Sequence, residues 1–149
     1  MSDRLPAVVP AARVQLPVPA HALPARSPRE LLALARHGLE EAAAIESPGM
    51  RYATAHLAAL RAAAAVLSAR AIPTGARRAR VTSVWTLLVV VAPELTEWAA
   101  FFAAGASKRA AAEAGIPRVV SLQDADDLLR TAGQFVDVVE VALGLGGAR

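Results

Sequence analysis

The chain has 149 residues, of which 55% are hydrophobic but only 4% aromatic, and its 16 basic and 13 acidic residues give a formal net charge of +3. This length suits one domain with a short tail, and so alanine-rich a composition favours closely packed helices over a sheet core. Cysteine is absent, which excludes disulfides, thiolate metal sites and cysteine nucleophiles.

The N-terminal segment 1–26 is rich in proline, and we expect it to be a disordered or extended arm. Proline fixes φ and removes a backbone donor, so a helix and a central strand are both disfavoured there. The segment shows no secretory signal. We therefore expect a cytoplasmic protein built from this arm, a helical domain (27–145) and a C-terminal tail (146–149).

Two helices are predicted to follow the arm, over about 28–46 and 49–71. Ser27 suits the N-cap of the first helix, and Glu30 completes a capping box. Along the second helix the apolar residues recur at steps of three and four, which is typical of a helix in a bundle.

Three more helices are predicted, over about 82–91, 93–114 and 122–143. The valines of the first would also suit a strand, but the sequence nearby offers no partner strand. The region 84–106 is a poor membrane span because Glu94 and Glu97 lie near its middle. Since the connections are short, we expect antiparallel neighbours in an all-α, up-and-down bundle of about five helices.

The first two helices resemble the opening hairpin of HEPN domains, small helical bundles named for nucleotide binding in higher eukaryotes and prokaryotes. The second helix of that family often carries an arginine, aromatic residues, a histidine, spaced alanines and a leucine. The matching residues here are Arg51, Tyr52, His56, Ala59, Ala63 and Leu67. The last helix resembles the closing HEPN helix, and the arginine and alanine content suggests a small actinobacterial branch. The resemblance covers about 27–145 and implies a bundle that is frequently a homodimer.

The resemblance also implies one catalytic hypothesis. HEPN ribonucleases need no metal and use an R-x(4–6)-H motif in a late helix, working across a dimer. No histidine follows His56 in this chain, but Arg51 and His56 have the motif's spacing in the early helix. Five residues turn an α-helix through about 500°, so these side chains start about 140° apart. We favour a structural role, with Arg51 at the surface or between helices and Tyr52 and His56 partly buried in the bundle. The alternative is RNA cleavage, with His56 as general acid or base and Arg51 stabilising the phosphate.

A second hypothesis is phosphate binding, because the charge is distributed unevenly along the chain. Residues 49–81 contain six arginines and no acid, whereas residues 119–145 contain five acids and one arginine. Five of the arginines could meet the phosphates of a nucleotide or RNA as a sequence-independent patch: Arg61, Arg70, Arg77, Arg78 and Arg80. Alternatively, these arginines pair with the acidic last helix or remain solvated.

A third hypothesis is an interaction module. Tyr52, Trp85, Trp98, Phe101 and Phe102 are candidates for the core or for a dimer interface, because an alanine-rich bundle has limited capacity to bury them all. The three histidines lack metal-ligand spacing, so no metal or cofactor is expected. We expect a non-enzymatic domain that binds nucleotide or RNA phosphate or mediates an interaction, with ribonuclease activity and dimerisation without nucleic acid as alternatives.

Overall fold

The computed structural model describes residues 16–19, 25–74 and 83–145. Six α-helices lie within these ranges: α1 (Pro28–Ala44), α2 (Pro48–Arg70), α3 (Val84–Val91), α4 (Thr96–Ala104), α5 (Ala106–Glu113) and α6 (Leu122–Ala142). A 3₁₀ turn (Pro93–Leu95) precedes α4. The predicted all-α bundle is confirmed, and none of these helices is both long and apolar enough to cross a membrane.

Serine side chains begin four of the helices. Ser27, Ser47, Ser83 and Ser121 each accept a hydrogen bond from the backbone N–H three residues further on. At Ser27 and Ser121 an acidic side chain also accepts the serine N–H, which completes a capping box. These caps satisfy N–H groups that have no partner inside the helix, and they explain why the helices begin where the sequence predicts.

The alanine-rich helix α2 lies at the centre of the bundle. It contacts α1, α3, α5 and α6, and most of its alanines are buried. Small side chains allow helices to approach closely on several sides, so α2 can serve as the common neighbour of the other elements. Side chains of α2 can therefore take part in a site together with several other helices.

The segment predicted as one helix over 93–114 is divided at Gly105 into α4 and α5. A Cβ atom added at Gly105 would lie 2.6 Å from the Tyr52 hydroxyl oxygen. Real Cβ atoms do not approach another atom so closely. The close contact with α2 explains why a glycine, a poor helix former, occupies the break.

Two short strands, β1 (Leu16–Pro19) and β2 (Ala71–Thr74), pair in parallel, with Leu16 opposite Ala71. Both strands are edges of a two-stranded sheet, where proline is tolerated. Of the predicted arm (1–26), the described residues include only 16–19 and 25–26. The predicted tail (146–149) lies outside the described residues.

An aromatic cluster fills the core between α3, α4 and α6. Trp85, Trp98 and Phe102, which are candidates from the sequence for the core or for an interface, are buried. Phe135 of α6, which the sequence analysis did not single out, joins them, with its ring centroid 5.2 Å from that of Phe102. Phe101 differs from its neighbours because 41% of it is exposed.

Candidate functional site

His56 lies in α2 and is completely buried. Its Nε2 is 2.8 Å from the carbonyl oxygen of Phe102 in α4. The imidazole is nearly perpendicular to the rings of Trp85 and Phe102, with centroid separations of 6.0 and 5.9 Å. The histidine therefore ties α2 to α4 within the aromatic cluster.

The hydrogen bond to Phe102 determines the tautomer of His56. A carbonyl can only accept, so Nε2 carries the proton and donates it, leaving Nδ1 as an acceptor in the neutral ring. Nδ1 is buried and has no hydrogen-bond partner among the described residues. Burial lowers the pKa of His56; the hydrogen bond to Phe102 opposes this, Arg109 lowers the pKa further, and Glu113 raises it. The geometry thus favours a neutral imidazole.

Tyr52 lies one turn before His56, and the two rings stack with centroids 6.3 Å apart. Tyr52 is buried, and its hydroxyl fits against Gly105 at the junction of α4 and α5. Burial raises the pKa of the phenol, and the nearby carboxylate of Asp124 raises it further. Tyr52 therefore stays neutral and packs α2 against the broken helix.

Arg51 is directed away from this cluster, toward the start of α6. Its Nε donates to the carbonyl of Ile45 at 2.9 Å, and its guanidinium forms an ion pair with Asp126 at 2.5 Å. These partners link α2 to the end of α1 and to α6. Arg51 and His56 therefore occupy separate environments within the chain, as the angle between them on a straight helix predicts.

The charged residues that act on His56 come from α5. Arg109 and Glu113 both contribute to the electrostatic environment of the imidazole, and Arg109 Nε is buried without a hydrogen-bond partner in the described part of the chain. No pattern in the sequence connects Arg109 with His56. Arg109 and Glu113 are four residues apart and share a helix face, but only the fold brings that face to His56.

Two of the five proposed phosphate-binding arginines, Arg61 and Arg70, lie within the described residues. Arg70 is buried, and its guanidinium forms an ion pair with Glu94 at 2.5 Å. Arg61 is partly exposed on α2. The remaining candidates, Arg77, Arg78 and Arg80, lie outside the described residues.

Some acidic residues of the last helix are paired with basic side chains of α1 and α5, which are not among the five candidate arginines. Arg36 of α1 pairs with both Asp137 and Glu140, and Lys108 of α5 pairs with Asp124 at 3.3 Å. Within residues 16–19, 25–74 and 83–145, no three side chains of the types His, Asp and Glu are grouped so that they could hold a metal ion.

Comparison with known proteins identifies the family. A family model for SAV_6107-like HEPN domains matches residues 42–140, from the end of α1 to the last turns of α6. No curated protein and no solved structure matches the chain significantly. The match covers more than half of the chain and confirms the resemblance that the first two helices suggested. The chain belongs to the SAV_6107-like HEPN family.

Proposed function

We propose that this HEPN domain is a non-catalytic module that associates with a second copy of itself through α3 and α4. The observation that carries the proposal is the exposure of three large apolar side chains on these two contacting helices: Val89, Val90 and Phe101. Their exposed fractions are 36%, 51% and 41%. This set is termed the α3–α4 apolar surface.

The position of this surface suits an interface. Helices α3 and α4 contact each other and are joined by the short 3₁₀ turn. The rings of Phe101 and the buried Phe102 are nearly perpendicular, with centroids 5.0 Å apart. One side of the Phe101 ring therefore packs against the core. Burying a valine or phenylalanine side chain contributes about 1.5–3 kcal/mol. Three such groups, placed against the same groups of a second copy, would give a two-fold interface an apolar centre.

The environment of His56 argues against a ribonuclease. A general acid or base must reach the substrate and exchange a proton near the working pH. His56 is completely buried, donates its Nε2 proton to Phe102 and has a lowered pKa. Arg51, its proposed phosphate partner, is held by Ile45 and Asp126. Catalysis would require both groups to leave these contacts.

Phosphate binding has weaker support than self-association. Arg70 is already paired with Glu94, so a phosphate would have to displace the Glu94 carboxylate from a buried guanidinium. Arg61 and the three arginines of the segment 77–80 remain for such a role. Fewer phosphate contacts predict a shallow dependence of binding on salt.

Sedimentation velocity over a range of protein concentrations tests the proposal. Wild type is expected to show a reversible monomer–dimer equilibrium. Val90→Glu should weaken association at least tenfold, because it places a charge in the apolar centre of the interface. Val141→Glu is the matched control, since Val141 is a valine on α6 with 45% exposure.

A strictly monomeric wild type would refute the proposed interface, as would equal effects of Val90→Glu and Val141→Glu. Titration of the same samples with labelled RNA, at low and high salt, tests the competing function. Salt-sensitive RNA binding by a monomer that does not associate would favour the phosphate hypothesis instead. Cleavage of RNA that is lost in His56→Gln would refute the non-catalytic assignment.

A further inference from the structure

Two adjoining cavities lie at the end of the bundle where α1 begins and α6 ends. The larger terminal cavity, of about 290 Å³, is lined by Ser27, Pro28, Arg29, Ala69, Leu143 and Leu145. The smaller terminal cavity, of about 210 Å³, is lined by Arg29, Leu32, Ala33, Arg36, Glu140 and Leu145. Arg29 and Leu145 line both cavities and so mark the boundary between them.

Leu145 is placed at this boundary by the turn that ends α6. Gly144 has a φ of 69°, a left-handed conformation that glycine adopts without steric cost. The Leu145 N–H donates to the carbonyl of Glu140 at 2.9 Å, and the Gly144 N–H donates to Val141 at 3.0 Å. This Schellman arrangement folds the chain back over the helix end. The apolar wall that Leu145 provides is therefore held by backbone hydrogen bonds.

The two cavities differ in their electrostatic character. In the smaller terminal cavity, Arg36 is paired with Asp137 and Glu140, so its charge is already compensated. None of the described residues that line the larger terminal cavity is acidic. Among the described residues, no ion pair or hydrogen bond engages the Arg29 side chain. The nearby carboxylate of Glu30 lines neither cavity and accepts the N–H of Ser27 in the capping box.

We propose that the larger terminal cavity binds a small amphipathic carboxylate, with its carboxylate on Arg29 and its alkyl chain against Leu143 and Leu145. A guanidinium binds a carboxylate through two parallel charge-assisted hydrogen bonds, and an unpaired arginine can offer both. Pro28, Ala69 and the two leucines provide an apolar lining for the chain. The volume is near the lower end of small-ligand pockets, roughly 300–1,000 Å³, so the ligand must be short.

Titration of the full chain with octanoate, followed by backbone amide NMR, tests this assignment. Octanoate should bind saturably and shift the amide signals of Ala69, Leu143 and Leu145. Octylammonium should bind more weakly, because Arg29 repels it. Arg29→Gln should weaken octanoate binding by about fivefold or more, since it removes the charge from the hydrogen bonds.

Arg61→Gln is the matched control for the loss of one positive charge. Arg61 is also an arginine without an ion pair among the described residues, but it lines neither cavity. The variant should bind octanoate as wild type does. The proposal fails if no saturable binding occurs, if octylammonium binds equally well, or if Arg29→Gln and Arg61→Gln have the same effect.

Discussion

His56 is the residue whose environment most limits the chemistry of this domain. Its ring lies among Tyr52, Trp85 and Phe102, and only one of its two nitrogens has a hydrogen-bond partner in the described structure. Protonation would place an additional charge in this aromatic surrounding, near Arg109. The histidine therefore makes the stability of the fold depend on pH.

We predict that stability falls as the pH decreases below the ordinary histidine pKa of 6.5. Because the folded pKa is lowered, the unfolded chain binds the proton first, and unfolding becomes more favourable. The loss amounts to at most about 1.4 kcal/mol per pH unit and ends below the lowered pKa. Urea unfolding at about pH 7.5 and about pH 5 measures it.

His56→Gln is the control for this prediction, since its amide can still donate to Phe102. In that variant the decrease in stability between the two pH values should be smaller. An equal decrease in both proteins would show that other groups, such as carboxylates, cause the pH dependence.

Gly105 gives a second prediction at the residue scale. Gly105→Ala should destabilise the fold by about 1–3 kcal/mol through overpacking, because the new Cβ would lie 2.6 Å from the Tyr52 hydroxyl oxygen. Alanine's better helix propensity offsets less than about 1 kcal/mol of this cost. Thermal or urea unfolding measures the difference.

A double-mutant cycle isolates the contact between the two residues. In a Tyr52→Phe background the hydroxyl is gone, so Gly105→Ala should become neutral or stabilising. If Gly105→Ala is equally harmful in both backgrounds, the Tyr52 hydroxyl is not the reason for the glycine.

At the scale of the elements, two ion pairs connect α2 to its neighbours and differ in burial. The Arg70 side chain is 5% exposed and pairs with Glu94 at the 3₁₀ turn before α4, whereas Asp126, the partner of Arg51, is 53% exposed. Removing one member of a buried pair leaves an uncompensated charge, at a cost of up to about 3–5 kcal/mol. An exposed pair contributes about 0–1 kcal/mol.

Glu94→Ala should therefore lower the free energy of unfolding more than Asp126→Ala does. The Glu94 carboxylate is itself partly exposed, at 33%, so the cost should fall below the range for fully buried pairs. Urea unfolding of both variants at neutral pH measures the order. Equal effects, or a larger effect of Asp126→Ala, would contradict the larger contribution of the Arg70–Glu94 pair to stability.

The sequence predicts helix beginnings well, because the signals for them are local. Serine caps and acidic residues three positions later place the starts of α1 and α6. The lack of space for a side chain at Gly105 is due to Tyr52, which lies in a different helix and far away in the chain. Such a contact leaves no local pattern, so the sequence predicts one helix over 93–114 where the structure has two.

The candidate site also combines contacts within one helix, which the sequence predicts, with contacts between helices, which it does not. Tyr52 and His56 stack as their spacing on one helix predicts. By contrast, the hydrogen bond to Phe102 and the electrostatic contribution of Arg109 depend on how α4 and α5 pack against α2. The ion pair between Arg70 and Glu94 likewise could not be predicted from the grouping of arginines in the sequence.

At the scale of the whole molecule, the basic and acidic parts of the chain meet across the bundle. Arg51, within the basic stretch 49–81, pairs with Asp126 of the acidic last helix. Part of the charge that suggested a nucleic-acid partner therefore holds helices together. The apolar groups left exposed on α3 and α4 favour self-association over nucleic-acid binding.

Because the chain contains no cysteine, a single introduced cysteine can carry one spin label without background labelling. Glu97→Cys places the label on α4 beside the α3–α4 apolar surface. Ala43→Cys places it on α1, which packs against α2 and α6. Pulsed dipolar spectroscopy on each labelled protein then measures the distance between labels on two copies.

Association through α3 and α4 predicts intermolecular coupling in both samples, with a shorter distance between labels at position 97 than between labels at position 43. Absence of intermolecular coupling, or a shorter distance at position 43, would contradict association through α3 and α4.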